Sequence, residues 1–184
     1  MQRKGTCEIG IGIGAGNVIV PEIVFAQNLT YNANNYLIDD GNINRITAQS
    51  FPSGQTGNIT SASLRMHRGS ALLTGDWQLS IQADASGSPS NVDIAVVTLD
   101  ATALGITTPA SFANFVFDVP VAVTSSTYYW LHFRSLLDGA TSSGLYINYN
   151  STDVYAGVYK YSTSGIPTWL TAAVDLEFTV YGTI

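Results

Sequence analysis

The sequence predicts an all-β protein, a two-sheet antiparallel β-sandwich with an extended N-terminal arm. Three observations predict it. Apolar and polar residues alternate at period two in segment after segment; Gly, Ser, Pro and Asn turns separate those segments; and nothing beyond Gln49 sustains an apolar helical face for three turns. A length of 184 residues suits one domain with a short appendage, because a second core would leave each half small.

The arm comes first. Gly10, Gly12, Gly14 and Gly16 alternate with Ile11, Ile13 and Ala15, so one face of an extended strand carries no side chains and another backbone can approach it closely. Val18-Ile19-Val20 and Ile23-Val24-Phe25 follow, then an Asn-rich connector from Asn28 to Asn44. A Gly-rich strand is entropically poor by itself, so either contact with another subunit orders this arm or it is a flexible leader. Its assembly residues are predicted to be Ile9, Ile11, Ile13, Val18, Ile19, Val20, Ile23 and Phe25. Residues 1–44 are read as arm and connector, and residues 45–184 as the sandwich.

The strands follow in order. Arg45 to Phe51 is the first. In Ile59 to His67, the residues Thr60, Ala62, Leu64 and Met66 share the inward face, and Ile59, Ser61, Ser63, Arg65 and His67 the outward one. Trp77, Leu79, Ile81 and Ala83 alternate with Gln78, Ser80 and Gln82, ending at Asp84 before the turn Ser86-Gly87-Ser88-Pro89-Ser90. Asp93 to Leu99, Phe112 to Asp118, Thr127 to Arg134, Gly144 to Asn150, Val154 to Tyr161 and Leu176 to Gly182 complete the set. Asp100 to Leu104 is predicted to make one helical turn with Asp100 as its cap. Eight or so strands of this kind favour a jelly roll.

Composition narrows the function. Seven Lys and Arg against thirteen Asp and Glu give a formal charge of −6, which provides no continuous basic surface for phosphates, so no nucleic-acid partner is expected. Charged residues make up only 11%, and Ser, Thr, Asn and Gly together fill 66 positions, a surface suited to a protein held in an assembly. The single Cys7 excludes an internal disulfide framework and a Cys-rich zinc site. Met1 to Lys4 with Val24 and Ala26 loosely imitate a secretory signal, but Glu8, Asn17, Pro21 and Glu22 interrupt its apolar middle. No stretch approaches the length of a transmembrane helix, so no membrane insertion is expected.

Chemical signals are sparse. His67 and His132, the only histidines, fall in separate strands and read as ordinary sheet residues. The aspartates lie mostly at strand ends, where they make local turn hydrogen bonds, and no nucleophile-elbow or zinc-helix motif occurs. Asp39 to Asn44 loosely resembles a calcium loop but lacks spaced acidic ligands, so a plain turn is the preferred reading and neither metal nor cofactor is expected. The late chain is rich in aromatics. Tyr155, Tyr159 and Tyr161 share one strand face, and with Trp169 they make a candidate stacking platform for sugar rings.

Several motifs carry a resemblance. Ala48-Gln49-Ser50-Phe51, the strand from Ile59 to Met66, Trp77 to Asp84 with its Gly87-Ser88-Pro89 turn, Phe115-Val116-Phe117, and Val121 to Leu131 with its Thr-Tyr-Tyr-Trp run occur in succession. Together they resemble the choice-of-anchor type jelly-roll domain of bacterial surface proteins and phage virion proteins, over roughly Arg45 to Ile184. These are packing motifs, which carry the fold better than the function. The resemblance implies a non-enzymatic virion protein, a capsid decoration, head-fibre or tail-associated component. Its partners would be other virion proteins and copies of itself in a homo-oligomer. A carbohydrate-binding module for a surface glycan is the competing expectation, and a hydrolytic tail enzyme would require two carboxylates converging in a cleft.

Overall fold

The computed structural model describes residues 21–30, 34–39, 46–69, 75–104, 110–136, 145–162 and 168–184. Within them the chain is all-β apart from one 3-10 turn at Ala101–Ala103. The strands are β1 (Ile23–Asn28), β2 (Asn34–Asp39), β3 (Ile46–Pro52), β4 (Gly57–Arg68), β5 (Asp76–Asp84), β6 (Pro89–Asp100) and β7 (Ser111–Val123). After them come β8 (Tyr128–Ser135), β9 (Leu145–Asn150), β10 (Tyr159–Ser162), β11 (Leu170–Ala172), β12 (Asp175–Leu176) and β13 (Phe178–Thr183). They form two antiparallel sheets. In the first, β1, β13, β4, β9 and β12 follow one another, with β7 on the other side of β4 and β2 on β9; the second runs β11-β10-β3-β8-β5-β6.

The expected alternation builds the core. Trp77, Leu79 and Ile81 of β5, Leu131 and Phe133 of β8, and Ala62, Leu64 and Met66 of β4 are all buried between the sheets. Phe133 stacks on Trp77 with ring centroids 5.9 Å apart and meets Phe115 of β7 edge-on at 6.0 Å, so aromatic contact fixes the sheets to each other. Local chemistry closes the turns. Asp84 accepts the Gly87 amide at 3.0 Å, and Gly87 sits at φ 79°, where glycine is unstrained. Asp100 accepts the Thr102 amide at 2.7 Å and caps the 3-10 turn, as its sequence predicts.

Three features depart from the sequence reading. Ile59 is buried instead of facing out with Ser61, because a register shift between Ile59 and Ser61 against β7 inverts the strand phase there. Residues 154–158 bend where a strand is expected: the Tyr155 amide donates to the Asp175 carboxylate at 2.8 Å, and Val158 bonds both ways with Ser50. Gly157 permits this close approach, since a Cβ there would lie 2.0 Å from the Ser50 carbonyl oxygen.

The third concerns the domain boundary. Ile23 and Phe25, expected in the arm, belong to β1, which pairs with β13 inside the first sheet, and Asn34–Asp39 of the expected connector form β2, which pairs with β9 in the same sheet. Phe25 is buried, and its ring fills the space left by Gly57 and Gly182, where Cβ atoms would meet it at 2.9 and 2.5 Å. The sandwich therefore begins by Ile23, ahead of Arg45, because this aromatic finds its apolar partners on β4 and β13. Two substitutions test the clamp in denaturant unfolding. Phe25→Ala should cost about 3–5 kcal/mol through its cavity. Gly182→Ala should cost about 1–3 kcal/mol by overpacking, since its Cβ would also crowd the Asn58 carbonyl oxygen.

Candidate functional site

An exposed apolar feature lies where the two sheets meet edge to edge. Among the described strands β6 pairs only with β5 and β7 only with β4, so each presents an open edge. Val92, Ile94 and Val96 on β6 and Phe112, Val116 and Val119 on β7 are exposed by 45% to 72%. Ala95, Val97 and Leu99, on the inner face of β6, are only partly covered by the core. Between the two edges lies a cleft of about 230 Å³ lined by Ile94, Ala95, Val96, Phe117, Asp118 and Val119. It exists because β7 bulges: Ile59 aligns with Val121 but Ser61 with Val116, so Phe117 to Pro120 leave the ladder. An apolar cleft flanked by open edges can take up an extended apolar segment through backbone pairing and side-chain burial.

A second cleft, of about 200 Å³, sits on the outer face of the second sheet against Ser50, Asp84, Tyr128, Trp130 and Val158. Its polar atoms are already engaged. Asp84 accepts from Trp130 Nε1 at 2.8 Å and from the Gly87 amide, Lys160 Nζ donates to Ser88 Oγ at 2.7 Å over the Trp130 ring, and Ser50 Oγ accepts the Val158 amide. These bonds clamp the Asp84 to Ser88 turn onto the sheet.

Of the predicted tyrosine platform, Tyr159 is buried, while Tyr155, Tyr161 and Trp169 are half-buried. Tyr159 stacks on Tyr161 with centroids 6.2 Å apart, and Tyr155 meets the core ring of Phe178 edge-on at 5.2 Å. The tyrosine side of this segment turns inward and leaves Val154 and Val158 exposed, because the rings bury more apolar area than the valines. Trp169 is separate from them, edge-on to His132 at 5.8 Å. Of the predicted assembly residues, Ile23 and Phe25 are structural, while Ile9, Ile11, Ile13, Val18, Ile19 and Val20 lie outside the described residues. Asp40 to Asn44 of the loose calcium loop also lie outside them. The β6 edge was legible in part, since Asp93 to Leu99 is apolar at Ile94, Ala95, Val96 and Val97 in succession, the pattern of a strand covered on both faces.

Among the described residues, His67, His132, Asp175 and Glu177 are buried away from both clefts. Ser80 Oγ lies 3.2 Å from His132 Nδ1, a spacing that suits a nucleophile and its base, but both residues are buried and Trp169 covers the imidazole. Asp93, the nearby carboxylate, is held by Gln82 at 2.7 Å and Arg134 at 3.5 Å. Burial holds His132 down to about 4 against the opposing pull of Asp93, and burial also lowers His67. Burial raises Glu177 against its bond from Arg65 at 3.1 Å, and raises Asp175. These groups make the stability of the interior depend on pH.

The sign of that dependence follows for His132. Its folded value lies below the unfolded 6.5, so between those values the unfolded chain binds a proton that the folded chain does not. The stability is present above pH 6.5 and is lost as pH falls toward 4, by roughly 3 kcal/mol. Asp175 and Glu177 act in the opposite sense, so a pairwise comparison isolates the histidine. Wild type should lose that much more than His132→Gln between pH 7 and 4 in urea unfolding. No family model matches the chain, and neither does any curated protein.

Proposed function

We propose that the chain is a non-enzymatic structural protein of a virion, a capsid decoration or tail-associated protein. It carries a jelly-roll β-sandwich outward and docks through its N-terminal leader to other virion proteins and copies of itself. The observation that carries this reading is the exposed apolar flank of β6 and β7 with its cleft, a surface that a solitary domain would cover or charge. The sparse charge of the chain supports it. The virion setting rests on the resemblance to the choice-of-anchor type jelly-roll domain. The carbohydrate alternative would have to use Tyr161, Trp169 and the half-buried Tyr155, since Tyr159 is buried.

On this reading, docking by the leader is separate from folding by the sandwich, which Ile23 and Phe25 already join. Removal of residues 2–20 should leave the thermal midpoint within a few degrees of the full chain and abolish incorporation into particles. Particles that carry the shortened protein at full occupancy would refute docking by the leader.

A further inference from the structure

We infer that the Gly-Ile leader of one copy, Ile9 to Gly14, adds as a strand to the open edge of β6 in a second copy, with its isoleucines in the cleft between β6 and β7. This rests on the assembly reading above and names the acceptor.

The acceptor is built for a strand. β6 is twelve residues long and, from its bulge at Ile94 onward, apolar on both faces, with Ile94 and Val96 exposed on one and Ala95, Val97 and Leu99 on the other. Such a pattern belongs to the interior of a sheet; on an edge it needs cover. β7 runs alongside without pairing to it, and Pro120 in its bulge has no amide proton to offer a ladder.

The donor matches that surface. Ile9, Ile11 and Ile13 would continue the row of Ala95 and Val97 and enter the cleft beside Phe117. Gly10, Gly12 and Gly14 would fall on the outward row, leaving room for Ile94 and Val96 to fold across them. A residue with a Cβ on that row would compete with these side chains for the same space.

Reach favours a second copy over the same one. The leader joins the sandwich at Pro21, next to β1, and Glu22 is fixed there by a 2.5 Å bond from Thr60. β1 and β7 lie at opposite sides of the first sheet, and β6 adjoins β7. Passage within one chain spans three strand spacings and a step between sheets, about 24 Å in all. The seven residue steps from Gly14 to Pro21 reach about 24 Å only when fully extended. A neighbour's cleft imposes no such limit. Donor and acceptor then occupy opposite flanks of each copy, and the contact is head-to-tail.

Two full-length variants test this by light scattering. A donor-dead chain carries Ile11→Lys and Ile13→Lys; an acceptor-dead chain carries Ile94→Lys and Val96→Lys, both at exposed positions, with thermal melts to confirm folding. Wild type should associate, each variant alone should stay monomeric, and their mixture should form a 1:1 complex of twice the chain mass that grows no further. A mixture that stays monomeric overturns the inference, as does a wild type monomeric at every concentration. If the acceptor-dead chain still associates and the donor-dead chain does not, the leader seats elsewhere; the inference falls and the assembly reading stands. Particle incorporation of the same donor-dead chain reads that assembly reading separately, and full occupancy would sink it.

Discussion

The contact of Phe133 with Trp77 and Phe115 is the constraint from which the rest of the molecule follows. Phe133 and Trp77 lie on adjacent strands of one sheet, and Phe115 reaches them from the other. These rings fix how β5 and β8 face β4 and β7. Once that spacing is set, the alternation of each strand decides which side chains are interior, and the sheets close along one flank only approximately. β6 and β7 approach there without forming a ladder, and the bulge from Phe117 to Pro120 leaves a gap. The candidate docking surface is thus a consequence of how the core is packed.

Much of this was legible in the chain because β-structure writes itself at period two. Trp77 to Ala83, Tyr129 to Phe133 and the cap at Asp100 needed only local pattern and turn chemistry. What was not legible depends on partners distant in sequence. Phe25 looks like part of an assembly arm until Gly57 and Gly182, far along the chain, are seen to make its niche. Ile59 has the phase of an outward residue, and only a bulge against β7 turns it in. The Tyr155 segment reads as a strand, yet its amide is bonded by Asp175, a carboxylate that local pattern could not bring there. The burial of Tyr159 was hidden for the same reason: period two shows which tyrosines share a face, not which way that face points.

The polar groups explain why association should proceed along the edge and not between sheet faces. On the outer side of the second sheet Gln78 bonds Arg134, Gln82 bonds Asp93, Ser80 bonds His132 and Lys160 bonds Ser88. On the outer side of the first, Arg65 joins Glu177 and Ser63 bonds Asn114. Ser80, Gln82, His132, Ser63 and Glu177 are already out of water. A partner laid flat on either face would have to strip water from the part-exposed Arg134, Asp93 and Arg65, which are bonded within their own sheets, at a cost of a few kcal/mol for each group left unsatisfied. At the flank the balance reverses. Ile94, Val96, Val116 and Val119 gain by leaving water, at roughly 25 cal/mol per Å². The backbone of β6 gains a ladder, so a partner that is itself an extended strand meets both demands at once.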